Sequence, residues 1–396
     1  MELAERVDRI AESQTLKMSR LGNELKAKGL DVISLSLGEP DFDTPKSIRE
    51  AAKKAIDEGY THYTPVPGYK ELREAICHKL KRDNGLDYAP DQIVASTGAK
   101  HSLINTIMTV VNPGDEVIVP TPYWVTYTAQ VEFVKGKVVN VQGKAENDYK
   151  ITAAQLEEAI TPKTKLFMFS SPCNPSGSVY TKEELESLKA VFEKYPQVLI
   201  ISDEIYEYIN YTGKHESIAQ FDSLKDRIIL VNGLSKGYAM TGWRLGFVAA
   251  PLPIAKAMTK IQGQFTSATC SITQRAGIYA FNADLDDTKE MVKEFRKRRD
   301  HILEVAREIP GIKVHEPQGA FYIFPDVSAY FGKSFADDII NNADDLCMYL
   351  LQKGLVATVT GNAFGEPNCI RISYATSIAK IDEGMSRIKE ALAKLK

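Results

Sequence analysis

Lys236 follows an apolar run and a glycine turn, in Ser235-Lys236-Gly237-Tyr238-Ala239-Met240-Thr241-Gly242-Trp243-Arg244. A lysine fixed at such a place can act as an amine nucleophile that forms a Schiff base. Arg244 stands eight residues on, and its planar fork suits a phosphate gripped by two parallel hydrogen bonds. A solvated lysine and a surface arginine would read the same way, so the segment needs support from elsewhere. Asp203 supplies some of it, at the end of an apolar run that closes in Ser202-Asp203-Glu204-Ile205-Tyr206. A carboxylate at a strand end points into the ligand crevice of an α/β sheet. There it could hold a protonated ring nitrogen, with Tyr206 bonding a ring oxygen. The competing reading is an N-cap aspartate beside a packed tyrosine.

Further segments are modest one by one. In Ser170-Ser171-Pro172-Cys173-Asn174-Pro175-Ser176-Gly177, two prolines hold Asn174 rigidly, so its amide can point at a ligand. Ser96-Thr97-Gly98-Ala99-Lys100 leads into an apolar-periodic stretch. A glycine turn at a helix start offers N–H groups and a positive dipole end to a phosphate. An ordinary strand–helix turn has the same letters, and the spacing is not that of a P-loop. Trp124, in Thr121-Pro122-Tyr123-Trp124, could stack on a flat ligand or fill a core. Arg371 lies in an alternating apolar strand, Asn368-Cys369-Ile370-Arg371-Ile372-Ser373-Tyr374. A buried arginine needs an anion, whether a structural carboxylate or a bound one.

These residues must be positioned by something, and the pattern says what. Short β-branched runs at 93–96, 116–119, 137–141, 166–169, 198–202, 228–231 and 245–249 alternate with helical spacing at 45–58, 69–84, 100–111, 153–160 and 182–194. Strands buried on both faces with helices between them predict a mostly parallel α/β sheet, seven-stranded here. A long charged helix near 289–308 then leads to strands near 312–315, 320–324, 356–359 and 370–373, and to helices near 342–353 and 378–394. That is a smaller α+β unit. The N-terminal segment, a helix over 14–28 and a strand over 32–37, is expected to pack on it. The expected division is a large domain of 46–288 and a small one built from 1–45 and 289–396.

Bulk properties exclude several classes. There are 49 basic and 52 acidic residues, a net charge of −3, and no basic block, so nucleic acid is not an expected partner. No apolar run is long enough to span a bilayer, and the first twenty residues lack the apolar core of a signal peptide. Five scattered cysteines without a C-x-x-C pair fit a reducing compartment. A cytoplasmic location is therefore expected. The six histidines show no metal-ligand spacing.

Taken in order, Gly38-Glu39-Pro40-Asp41-Phe42, Gly98-Ala99-Lys100, Tyr123-Trp124, Asn174-Pro175-x-Gly177, Asp203-Glu204-x-Tyr206, Ser235-Lys236 with Gly242-Trp243-Arg244, and Arg371 resemble the class I aminotransferases of pyridoxal-phosphate fold type I. The resemblance spans essentially the whole chain and is strongest to the bacterial aspartate aminotransferase branch. It implies a PLP-dependent transferase fold with pyridoxal 5′-phosphate as cofactor. Lys236 would carry the cofactor as a Schiff base, and Asp203 would pair with its ring nitrogen. Asn174 and Tyr206 would bond the ring oxygen, and Trp124 would stack on the ring. Gly98, Ala99, Lys100, Ser235 and Arg244 would serve the phosphate. Arg371 would clamp the substrate α-carboxylate, helped by the backbone of Gly38, with Trp124 and Asn174 alongside. Tyr63 would reach the phosphate of a neighbouring subunit, which implies a homodimer with shared sites.

One position departs from the pattern. Many relatives carry a phosphate-binding serine three residues before the lysine, where this chain has Gly233. The expected substrates are amino acids and 2-oxo acids, with aspartate or glutamate as donor and Lys100 as the cation for the distal carboxylate. Transaminases for prephenate, aromatic amino acids or alanine share nearly all these motifs. A fold-type-I lyase uses the same lysine and aspartate. A non-enzymatic PLP-binding regulator would need a fused DNA-binding domain for which the chain has no spare length.

Overall fold

A computed structural model describes residues 3–8 and 10–396. Residues 1, 2 and 9 of the expected N-terminal unit lie outside the described residues. The central sheet has seven strands: β1 (Ile93–Ser96), β2 (Glu116–Thr121), β3 (Lys137–Gln142), β4 (Thr164–Ser170), β5 (Leu199–Asp203), β6 (Ile228–Gly233) and β7 (Gly246–Ala249). Their order is β1-β7-β6-β5-β4-β2-β3. All neighbours run parallel except β7, which is antiparallel to both β1 and β6. Phe167 and Met168 of β4, Ile200 and Ile201 of β5 and Ile228–Val231 of β6 are inaccessible on both faces. Burying each such side chain is worth roughly 1.5–3 kcal/mol. The outer strand β3 is half exposed and carries Lys137 and Asn140, polar residues that discourage a further strand from adding.

Capping places the helices that back the sheet. Helix Lys182–Lys194 starts at Thr181, whose hydroxyl accepts the Glu184 N–H while Glu184 accepts the Thr181 N–H. That reciprocal pair satisfies two N–H groups a helix start leaves open. Among the described residues four α-helices went unread in the sequence: the single turn Glu5–Asp8 and the longer Thr126–Phe133, Leu252–Phe265 and Ser271–Asn282.

Apolar side chains collect in separate cores. Two lie against the sheet. A third draws Met18, Val32 and Leu35 together with Phe295, Ile302, Leu350, Ile381 and Met385. The N-terminal helix Gln14–Ala27 and strand Ile33–Ser34 thus pack with the C-terminal elements. The expected strand at 312–315 is absent. Only Lys313 bridges to Asp326, because Gly311, with a φ of 82°, turns the chain just before it and Pro317 follows without an N–H to donate. The expected strand at 356–359 divides. Val356–Ala357 pairs in parallel with Ile33–Ser34, while Val359–Thr360 pairs antiparallel with Ile370–Arg371. Among the described residues no helix is long and apolar enough to cross a membrane.

Candidate active site

The carboxyl ends of β4, β5 and β6 open on a cavity of about 260 Å³. Asp203, the last residue of β5, is 3 % exposed. Tyr127 donates its hydroxyl hydrogen to Asp203 Oδ2 at 2.7 Å, and the Ile205 N–H donates to Oδ1 at 3.2 Å. Burial still pushes the carboxyl up to about 6. It is a desolvated carboxylate that lacks a strong cation beside it, so a protonated ring nitrogen fits there.

Lys236 lies just past β6 and is half-buried at the wall of the cavity. Its Nζ donates to the Gly38 carbonyl. Burial brings its pKa down to about 8, aided by the positive charges of Arg371 and Arg244 and opposed by Glu39. An amine so tuned exchanges protons near neutral pH.

Arg371 projects from the strand Ile370–Ser373 and is 1 % exposed. One guanidinium nitrogen donates to Asn174 Oδ1 at 2.8 Å and the other to the Ser36 carbonyl at 2.7 Å. Its Nε has no partner. Tyr322 and Phe364 flank it, with ring centroids 4.5 and 5.0 Å from the guanidinium carbon. Among the described residues no carboxylate pairs with it. The anion expected for this buried cation is not a carboxylate of the described residues, and Arg371 lines the cavity instead. Because Asn174 Oδ1 is taken by Arg371, its Nδ2 is left to donate into the cavity.

The turn before helix Ala99–Val110 forms the third wall. Gly98 has a φ of 81°, and a Cβ built on it would lie 2.4 Å from Arg244 Nη2. Only glycine lets the guanidinium lie against the turn. Lys100 Nζ sits 4.9 Å from the Trp124 ring centroid. Burial lowers its pKa, with Arg244 adding to the effect, and it has no carboxylate partner among the described residues. Trp124 packs edge-on against Tyr127, 5.7 Å between centroids. Tyr206 shares a 2.7 Å hydrogen bond with Tyr322.

Gly38, Ala99, Lys100, Trp124, Asn174, Asp203, Tyr206, Ser235, Lys236, Arg244 and Arg371 therefore come together around one cavity. Gly98 sits behind Arg244. Tyr63 is elsewhere, 98 % exposed. The departure at Gly233 has a steric cause. A Cβ there would lie 2.7 Å from the Leu245 carbonyl oxygen and 2.8 Å from Gly246 Cα, so no serine fits between β6 and β7. Tyr127 and Tyr322 escaped the sequence reading. The spacing of Trp124 and Tyr127 by three residues, on one face of a helix start, could have flagged the first; Tyr322 is hidden in an apolar run.

Residues 30–388 match the family Aminotransferase class I and II. The chain is 44% identical over 396 residues to an aspartate aminotransferase of Bacillus subtilis, covering all of both chains. It is 45% identical over 401 residues to a bifunctional aspartate aminotransferase and glutamate/aspartate-prephenate aminotransferase of Petunia hybrida, covering all of this chain and 84% of that one. Its fold is similar to the crystal structure of the aspartate aminotransferase from Rhizobium meliloti, with a TM-score of 0.97, 41% identity and full coverage of both chains.

Proposed function

The chain belongs to the class I and II aminotransferases, which use pyridoxal phosphate on amino and oxo acids, and on that premise we propose that it moves an amino group between L-aspartate or L-glutamate and 2-oxoglutarate or oxaloacetate. One observation carries the choice of substrate. Two cations without carboxylate partners among the described residues, Arg371 and Lys100, face the same cavity, which suits a dicarboxylic acid. The three similar proteins above all carry aspartate in their names.

When bound, pyridoxal phosphate supplies an aldehyde carbon and an electron-accepting ring. Gly98, Ala99, Ser235 and Arg244 would hold its phosphate, Asp203 its ring nitrogen, Asn174 and Tyr206 its ring oxygen, and Trp124 its face. Arg371 binds and orients the α-carboxylate, with the Gly38 backbone beside it. Lys100 takes the distal carboxylate. Lys236 removes the α-proton at Nζ and then delivers it to the acceptor carbon, base first and acid second. Its lowered pKa leaves both protonation states accessible for that exchange.

Lys100→Ala tests the specificity. Its kcat/KM for aspartate and glutamate is expected to fall by on the order of tenfold, because Lys100 is exposed in the empty chain and solvent screens its pairing with a carboxylate. Alanine and phenylalanine should lose far less. Equal losses on all four would assign Lys100 to the phosphate and remove the support for a dicarboxylate.

The proposal includes a homodimer whose subunits complete each other's sites. Tyr63 is 98 % exposed and makes no hydrogen bond or ring contact among the described residues of its own chain. Light scattering should give twice the 44.0 kDa chain mass, and Tyr63→Phe should retain cofactor less tightly. A fully active monomer would contradict this.

A further inference from the structure

His101 follows the phosphate-binding turn and has no part in the chemistry above. Its Nδ1 accepts the Thr97 N–H at 3.1 Å. Its Nε2 faces the Thr266 hydroxyl at 3.4 Å. The turn between them is otherwise confined by backbone. Gly98 donates to the Ser96 carbonyl at 2.7 Å, and the Gly98 carbonyl accepts from His101 and Ser102. A Cβ on Gly246 would lie 2.3 Å from the Ala99 nitrogen, so β7 presses on the turn from behind while Arg244 presses on Gly98 from the cavity side. At a helix start the N–H groups of Ala99 and Lys100 have no carbonyl of their own helix to bond. They are the donors a phosphate would take. The Thr97 peptide is the remaining hinge of this turn, and an imidazole fixes it.

We propose that His101 is a positioning residue for the phosphate cradle: its Nδ1, by holding the Thr97 N–H, keeps the Ala99 and Lys100 N–H groups aimed into the cavity. The inference rests on the reading of that turn as the phosphate site. It has a chemical consequence. An Nδ1 that accepts a hydrogen bond carries no proton, so the ring must be neutral, with its hydrogen on Nε2. A ring that gained a proton on Nδ1 would set a donor against a donor and release the turn. The surroundings keep the ring neutral. Burial lowers its pKa, and no charged side chain among the described residues shifts it either way. Thr97 and Thr266, the groups it bonds, do not titrate.

The test uses the full chain stripped of cofactor, titrated with pyridoxal phosphate and with pyridoxal, which has the same aldehyde but no phosphate. The visible absorbance of the lysine adduct reports both. His101→Leu should bind pyridoxal phosphate on the order of tenfold more weakly, the loss of one half-buried acceptor, with pyridoxal binding unchanged. His101→Asn, whose Oδ1 stands where Nδ1 stood, should restore the affinity to within about threefold. As pH falls below the ordinary imidazole range near 6.5, the unaltered chain should lose its preference for the phosphorylated ligand further than His101→Asn does. A His101→Leu chain that keeps its preference, or that loses both ligands equally, would overturn the proposal. So would matching pH profiles for the unaltered chain and His101→Asn. An unaltered chain that captures neither ligand would instead bring down the cofactor reading beneath it.

Discussion

Lys236→Ala should transaminate aspartate about 10⁴-fold more slowly than the unaltered chain, or slower still, because it loses both the amine that holds the carbonyl and the group that moves the α-proton. Lys236→Arg separates those roles from mere charge. A guanidinium stays protonated under all working conditions and can neither attack a carbonyl nor take a proton. It should be as inactive as the alanine variant. If Lys236→Arg kept a tenth or more of the activity, Lys236 would be a structural cation. The environment of the amine gives a second readout. With its pKa near 8, the cofactor-free chain should capture pyridoxal phosphate at a rate that rises with pH and levels off just above 8. An unburied lysine would keep accelerating past about pH 10.

Asp203→Asn should lower kcat on the order of 10³-fold, because a neutral amide cannot hold a protonated ring nitrogen in a buried site. Asp203→Glu should recover part of the loss. The same substitution has an opposite effect on the empty protein, and the sign follows from linkage. The folded carboxyl titrates near 6, above its unfolded value of about 3.9. The folded state therefore binds this proton more tightly than the unfolded one. Below about pH 4 the group is protonated in both states and costs nothing. As pH rises from about 4 to about 6, stability is lost, by about 3 kcal/mol in all, and the loss stays constant above that. Cofactor-free Asp203→Asn should thus melt higher than the unaltered chain at pH 8 and equally with it near pH 3.5. Adding pyridoxal phosphate at pH 8 should reverse the order. A cofactor-free variant no more stable than its parent at pH 8 would mean that Asp203 carries no burial cost awaiting a cation.

The residues at the carboxyl ends of the strands were legible in the sequence. Lys236, Asp203 and Asn174 each follow a run of buried β-branched or aromatic residues, and a polar residue there has few places to point but the crevice. Arg371 was legible for the opposite reason, as a charge inside an apolar strand. Tyr127, between two threonines, and Tyr322, in an apolar run, were not, since neither setting shows a hydroxyl bonded to Asp203 or Tyr206. The helices Leu252–Phe265 and Ser271–Asn282 were passed over. They hold glycine and β-branched residues at positions where propensity is weak, and the sheet they cover decides their form. The strand expected at 312–315 failed because the turn at Gly311 and the proline at 317 leave one residue, Lys313, to find a partner. Gly233 shows the reverse case. A residue that breaks the resemblance is dictated by the contact of β6 with Leu245 and Gly246, which no local pattern displays.

The most direct measurement is a titration of the pyridoxal-phosphate-loaded chain with L-aspartate, followed by its visible absorbance, and then with 2-oxoglutarate. Aspartate should abolish the band with release of oxaloacetate, and 2-oxoglutarate should restore it with release of glutamate. A band that aspartate and glutamate leave intact while alanine or phenylalanine removes it would contradict the dicarboxylate reading, and a band lost to aspartate but never restored by any 2-oxo acid would contradict amino-group transfer itself.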